Sequence, residues 1–280
     1  MFIEKFRELI VNPFDVKFNC FSINQILEYP HAANDVIHCT DRNGMHFIVK
    51  FSRHAEADFE NELIFLNILA DYDIKVPKVI ESGNHNGVDF IVLEYIEGKR
   101  ISQIIDSYEE NKKKYCELFG KNIALIHSFK IGEREAKIRR FHNPVDNKDK
   151  DDFISDINNW LEKNKPYESE KCFVHGDHHY ANIIWKNDEI SGVVDWELAG
   201  MGNREFDLAW AIFLRPSQTF FNTEEEEYDI LNAYSSLNSF DYNSYNFFKV
   251  QIMSHFYTFK QKDLNYLNWL KKNINKIIQN

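Results

Sequence analysis

Apolar residues fall in short alternating runs through the first third of the chain and recur at helical spacing afterwards. Val36 to Thr40 and Met45 to Phe51 are β-rich runs separated by Asp41-Arg-Asn-Gly44, whose Asn-Gly supplies the positive φ angles of a tight hairpin. Asp58 to Asp71 follows with Phe59, Leu63, Phe65, Leu66 and Leu69 at helical spacing, and Val76-Pro77 stops it. Lys78 to Ser82 and Val88 to Tyr95 form a second strand pair across the turn-prone stretch Ser82 to Gly87. The pattern therefore predicts a mainly antiparallel sheet with one inserted helix. After Gly98 it changes to long helical stretches: about Tyr108 to Phe129, about Asp151 to Asn164, and most of the chain beyond Glu205. Two short strands interrupt them, Ile183 to Trp185 and Ile190 to Val194, joined across Lys186-Asn-Asp-Glu189. The expected fold class is α+β, with a small sheet lobe over residues 1–97 and a larger, mainly helical lobe over residues 98–280.

Composition narrows this without overturning it. At 280 residues and 44% hydrophobic the chain can bury a sizeable core as one large domain or two lobes. Cys20, Cys39, Cys116 and Cys172 are scattered and form no CxxC pair, which speaks against a zinc ribbon or a disulfide framework and for a reducing cytoplasm. The segment Met1 to Ile10 interleaves charge with apolar residues, unlike a signal peptide, and no run approaches the roughly 18 apolar residues of a membrane span. The formal charge of −11 disfavours a nucleic-acid backbone as partner and would attract a cationic ligand, although plain solubility explains it as well. No feature of the sequence indicates an oligomeric state.

The chemistry concentrates in Cys172 to Trp185 and Ile190 to Glu197. A hairpin built from residues 183–185 and 190–194 has its open end at Asn182 and Asp195, with Asp177 in the loop just before. An amide oxygen beside a carboxylate suits a hard cation such as Mg²⁺. A separate carboxylate left free of the metal can orient an attacking hydroxyl and accept its proton.

These residues resemble the aminoglycoside phosphotransferase and choline kinase superfamily, whose catalytic loop reads His-Gly-Asp-x-x-x-x-Asn; here it is His175, Gly176, Asp177 and Asn182, with Asp195 as the later metal-binding residue. Asp195-Trp-Glu-Leu-Ala-Gly200 and Glu205-Phe-Asp-Leu-Ala-Trp210 resemble further family elements, the second giving Asp207 a structural role. The resemblance, spanning roughly Val36 to Trp210, implies a protein-kinase-like two-lobed fold. It implies that Lys50 meets the phosphates of ATP, that Glu62 holds Lys50, and that backbone around Glu94 and Ile96 binds adenine. Ala124-Leu-Ile-His127 resembles an element that serves packing. The loop over the phosphates, Tyr29 to Asp35, departs from expectation in containing no glycine; Ala32, Ala33 and Asn34 stand where backbone would approach phosphate. The implied activity is transfer of the γ-phosphoryl of ATP or GTP, with Mg²⁺, to a hydroxyl of an antibiotic (aminoglycoside- or macrolide-like) or of an amino-alcohol or sugar metabolite.

Two other readings use the same residues. His175, Asp177, His178 and His179 could ligate a transition metal in a hydrolase, though this leaves Lys50 and Glu62 unexplained. A catalytically inactive binding protein could keep the fold alone. Glu197 either faces the acceptor or fixes its own loop. Thr223-Glu-Glu-Glu-Glu-Tyr228 reads as the solvated start of a helix rather than a polycation site. Trp160, Trp185, Trp210 and Trp269 read as packing, and Trp196 as the exception most expected to serve the site.

Overall fold

The computed structural model describes residues 7–30, 32–53, 57–148, 150–166, 171–259 and 263–279. His31 of the phosphate-loop segment and the first six residues of the N-terminal segment lie outside them. In chain order the first elements are β1 (Gln25–Glu28), β2 (Asp35–Thr40), β3 (His46–Phe51), α1 (Phe59–Leu69), β4 (Val79–His85) and β5 (Val88–Glu94). Then come α2 (Ile105–Glu110), α3 (Lys112–Ser128), α4 (Asp152–Lys163), β6 (Lys171–Val174), β7 (Ile183–Lys186), β8 (Glu189–Val193) and β9 (Gly200–Asn203). The chain ends in α5 (Arg204–Ile212), α6 (Glu224–Ser235), α7 (Tyr242–Thr258) and α8 (Leu264–Ile278). Among the described residues no helix is long and apolar enough to cross a membrane.

These elements form two compact units: Met1–Lys99 with Ile183–Leu198, and Arg100–Asn182 with Ala199–Asn280. A single boundary near residue 98 is what periodicity alone gives, because it cannot see that the β7–β8 hairpin groups with the first unit. Specific contacts hold it there. Lys99 and Trp185 exchange two backbone hydrogen bonds of 2.8 Å, Val193 N–H donates to the Lys75 carbonyl at 2.9 Å, and Gly192 leaves the space that the Ile96 side chain fills.

The first unit is an antiparallel sheet in the order β1-β2-β3-β5-β4. Side chains alternate across β3, so Phe47, Val49 and Phe51 join Ile37, Cys39, Phe90 and Val92 in a core covered by Val11, Val16 and the partly buried Phe18 and Phe21. The same alternation turns Lys50 to the opposite face. A one-residue slip would exchange the faces, which is why this register is strongly specified. The expected turn from Ser82 to Gly87 is shorter than its sequence. Strand pairing continues to His85 opposite Val88, and Asn86 and Gly87 alone turn the chain with φ of 51° and 86°. Asn43-Gly44 does not repeat this, because Asp41 Oδ1 accepts from the backbone N–H of both Asn43 and Met45 and holds a longer loop. Strand β1, with Ile26 alone buried, has too short a pattern to be read from sequence.

Asp35 at the start of β2 is almost fully buried. It accepts from Arg53 Nε at 2.7 Å, Arg7 Nε at 3.0 Å and the Ile10 N–H at 2.9 Å, and so ties the N-terminal segment to the sheet. Burial alone would raise its pKa; the Arg53 hydrogen bond, the Ile10 N–H and both guanidinium charges outweigh it and hold the carboxyl below its usual range. A depressed carboxyl stabilises the fold above its unfolded pKa of about 4 and loses that contribution as pH falls toward the folded value. Asp35→Asn should therefore cost about 3 kcal/mol at neutral pH. The gap to the parent should narrow below about pH 4. Urea melts at several pH values check this; a gap that stays constant into acid would contradict it.

The second unit is helical, with the β6–β9 pair added to the elements expected. That pair was hidden because Gly200-Met-Gly-Asn203 has no β-propensity: Gly200 sits at φ 154°, and a Cβ there would meet the Ala136 backbone at 2.5 Å. The stretch from Tyr108 to Phe129 is divided at Asn111 into α2 and α3. The acidic run does begin a helix. Thr223 caps α6 in a capping box with Glu226, whose buried carboxylate also takes the Tyr108 hydroxyl.

Candidate active site

In the first unit the site is organised by Lys50. It leaves β3 one residue before its end, on the face away from the Phe47/Val49/Phe51 core, where α1 supplies Glu62. Lys50 Nζ lies 2.6 Å from Glu62 Oε2 and 2.8 Å from Asp195 Oδ1. Burial by itself would lower the lysine pKa, but the charges of Asp195, Glu62 and Glu197 raise it above its usual value, so the ammonium stays charged. Asp195 follows β8 with φ 72°, a left-handed conformation uncommon outside glycine and tolerated by aspartate. Trp196 locks that turn: fully buried, it donates from Nε1 to the Val193 carbonyl at 3.0 Å. Glu197 is fixed on both its backbone and its side chain. Asn61 Nδ2 donates to its carbonyl at 3.0 Å, and its Oε2 accepts from Asn34 Nδ2 at 3.2 Å. Burial, and then the Asp195 charge, push the Glu197 carboxyl up to about 7.

The phosphate-loop segment is held by side chains instead of glycine turns. Arg7 Nη2 donates to the carbonyls of Ala33 and Asn34, both at 2.7 Å, and Asn34 Oδ1 accepts the Arg53 N–H. Ala32 lies beside them with no assigned side-chain contact. The Asn34 side chain thus points to Glu197 and the chain interior. At the expected adenine-binding segment, Glu94 N–H already donates to the Lys78 carbonyl at 2.8 Å, and Ile96 turns its side chain onto Gly192.

In the second unit the site is organised by Asp177, between β6 and β7. Its Oδ1 accepts from Trp210 Nε1 at 2.7 Å and Arg139 Nη1 at 3.0 Å, and its Oδ2 lies 3.6 Å from His179 Nε2. Burial would raise its pKa, yet His179, Arg139 and Arg215 together hold it well below the usual carboxylate range. Asn182 Nδ2 donates to the Asp177 carbonyl at 3.0 Å, which leaves the amide oxygen as its acceptor. The loop backbone is fastened by Asp207, which accepts the Gly176 N–H at 2.9 Å through Oδ1 and faces His127 Nε2 at 3.2 Å through Oδ2. His127 therefore does more than pack: it spans Asp207 and the Tyr234 hydroxyl. Asn182 and Asp195 flank the β7–β8 hairpin in sequence, where Ile183 pairs with Val193.

The histidines do not form a ligand set. His175 Nδ1 accepts the Asp177 N–H, and buried His178 turns Nε2 to Asn122 Oδ1 at 2.9 Å. Among the described residues no three His, Cys, Asp or Glu side chains are grouped to hold a metal ion. The hydrolase reading thus has no geometric support. A cavity of about 1050 Å³ between α6, α7, α8 and the C-terminal end of α4 is lined by none of the expected site residues.

The profile of the phosphotransferase enzyme family, APH, matches residues 26–248. The chain belongs to this family. The aminoglycoside 3'-phosphotransferase of Niallia circulans is 26% identical over 157 residues, 51% of this chain and 59% of that protein, so the match spans about six-tenths of the relative's length. The fold is that of solved family structures. A thermostable mutant of the aminoglycoside phosphotransferase APH(4)-Ia, in ternary complex with AMP-PNP and hygromycin B, superposes with TM-score 0.70 at 12% identity, covering 92% of this chain and 94% of that one. The ethanolamine kinase of Plasmodium vivax gives 0.58 at 16% identity, over 90% and 80% of the two chains.

Two residues of this phosphotransferase-family chain, Arg139 and Arg215, escaped the sequence reading, and the contact of a third, Trp210, with Asp177 did too; all three act on Asp177. Trp210, read as packing, is buried among Phe141, Phe206 and Phe256 and in addition puts its indole N–H on Asp177, whereas Trp196, read as the exception, is buried in the first unit with its N–H on Val193. The available signal was spacing, since Trp210 lies one helical turn after Asp207, on the same face of α5.

Proposed function

We propose that this chain transfers the γ-phosphoryl of ATP or GTP to a hydroxyl of a small molecule, with Asp177 receiving the hydroxyl. The observation that carries the reading is Lys50: a buried ammonium shared by Glu62 and Asp195 is the arrangement that presents a fixed cation to nucleotide phosphates. Family membership and the AMP-PNP bound by a structural neighbour support it. Asp195 and Asn182 are the residues that would hold Mg²⁺. Asp195 Oδ2 has no partner among the described residues, and Asn182 offers an amide oxygen, so both donors are hard oxygens of the kind the ion takes. Bound there, the ion would neutralise charge on the transferred phosphate. Lys50 orients the α- and β-phosphates, and Asp177 aligns the acceptor oxygen. Adenine contacts fall to main chain beyond Glu94, whose own N–H is engaged.

The names of the relatives make aminoglycoside-like antibiotics and amino-alcohols the first acceptors to try, with macrolides and sugars beside them. The test is nucleotide-dependent transfer by the purified protein with Mg²⁺ across such a panel, with Asp195→Ala as blank. Acceptor-stimulated turnover that disappears in the blank is expected. Failure to bind Mg-nucleotide at all would sink the proposal.

A further inference from the structure

We infer that the acceptor carries, besides its reactive hydroxyl, an oxyanion, a phosphate monoester or a carboxylate, which Arg139 and Arg215 hold beside Asp177. The inference rests on the phosphotransfer reading above and narrows its substrate class. It starts from a charge imbalance. Around Asp177, within the second unit, stand the guanidinium groups of Arg139 and Arg215, both against the Trp210 ring with Cζ at 4.1 and 4.9 Å from its centroid. Arg139 is paired with Asp177 and also donates to the Gly176 carbonyl at 2.5 Å, while its Nε is buried with no partner among the described residues. Among the described residues the Arg215 guanidinium donates to the carbonyls of Phe213 and Trp210, at 3.0 and 3.1 Å, and hydrogen-bonds to no carboxylate. Burial pulls its pKa down to about 10, so it remains a cation.

Two guanidinium groups thus share one carboxylate. Buried cations are ordinarily each matched by a negative charge, and a local excess of positive charge beside a reactive carboxylate marks a ligand site rather than a source of stability. The formal charge of −11 over the whole chain favours a cationic ligand, but nearby, poorly screened charges outweigh distant ones, and those nearest Asp177 are positive. An ammonium-bearing acceptor would bring a third cation to this place. An oxyanion supplies the missing negative charge, and the planar donor fork of arginine fits carboxylate and phosphate alike.

The reacting hydroxyl has its own place. Asp177 Oδ1 is occupied by Arg139 and Trp210, whereas Oδ2 faces His179 at 3.6 Å and is the oxygen left to receive it. The acceptor oxygen then bonds to the γ-phosphorus as the bond from that phosphorus to the β–γ bridging oxygen breaks. The nucleoside diphosphate leaves with that electron pair, and the hydroxyl proton passes to Asp177 and on to solvent.

The test begins with inorganic phosphate titrated calorimetrically into the full chain saturated with Mg-AMP-PNP. Arg215→Gln should weaken phosphate at least about tenfold, and Asp177→Asn, which removes the local negative charge, should strengthen it about tenfold. Arg215→Lys should fall between Arg215→Gln and the parent and shows that the loop tolerates substitution. A site built for a cation would answer Asp177→Asn with no gain in phosphate affinity. In turnover, hydroxylated phosphate esters and hydroxycarboxylates should exceed matched amines in kcat/KM by at least about tenfold. Comparison of the two anion classes tells phosphate from carboxylate, and Arg215→Gln should act through KM. Equal phosphate affinity in all four proteins, or an amine acceptor whose KM ignores Arg215→Gln, overturns the inference and leaves the kinase reading intact. Phosphate affinities that move as expected in a protein that phosphorylates nothing would uphold the oxyanion site and remove the kinase reading instead.

Discussion

Asp177→Asn should lower kcat by about 10²–10⁴-fold while Mg-nucleotide affinity changes little. The polarity of one atom is the reason. Asparagine can keep its oxygen in the Oδ1 position, where Trp210 Nε1 and Arg139 Nη1 donate, but then puts an NH₂ where Oδ2 stood. That group donates to an approaching hydroxyl when it should accept. Asp177→Ala is a poorer probe, because it also leaves Arg139 without its counter-ion. The low pKa of Asp177 bears on its role as well. A carboxyl held well below its usual range is a weak base, so its main contribution is alignment, with the proton leaving late in a loose transition state. It follows that Asp177 should add no acid limb to kcat above about pH 5. Steady-state kinetics of both proteins against pH, with nucleotide affinity measured alongside, test this. Parental turnover in Asp177→Asn would remove it from the reaction.

What the sequence disclosed and what it hid divide along one physical line. Lys50 and Glu62 were legible through the family resemblance, and their placement rests on elements that local rules do predict: a period-two strand in a hairpin and the helix next in sequence. Asp195 was legible because the β7–β8 hairpin is short and its ends are set by register. Arg139, on an irregular segment, and Trp210, on α5, reach Asp177 from 38 and 33 residues away, through tertiary packing that no local pattern encodes. The β6–β9 pair was hidden for the same reason, since Gly200-Met-Gly-Asn203 is a strand only through its partner. Net charge is likewise a non-local sum. The formal −11 describes the whole chain, while the charged side chains gathered around Asp177 are Arg139 and Arg215. Trp196 and Trp210 were indistinguishable as tryptophans near a motif, and only the hydrogen bond of each indole N–H separates the one that locks a turn from the one that holds the carboxylate.

Lys50→Met separates stability from chemistry in the first unit. Lys50 and Glu62 are both buried, and removing the ammonium leaves Glu62, Asp195 and Glu197 facing one another with no cation among them. Breaking such a pair costs about 3–5 kcal/mol, well above the loss of a surface ion pair. The cost must depend on pH with a definite sign. Without Lys50, burial raises the folded pKa of Glu62 above its unfolded value of about 4.3, so the variant is least impaired where Glu62 is protonated. Its stability then falls by about 1.4 kcal/mol per pH unit until the folded pKa is passed, and the gap to the parent is wider at about pH 8 than at about pH 5. Lys50→Met with Glu62→Leu replaces the pair by apolar groups and should recover most of the stability and lose this slope. Turnover should not return, because the cation that orients the phosphates is still missing. Urea melts and transfer assays on the parent, the single variant and the double variant decide the matter. A single variant as stable as the parent at about pH 8 would show that Lys50 and Glu62 do not form a buried ion pair. A stable double variant with parental turnover would show that Lys50 serves the fold and not the nucleotide.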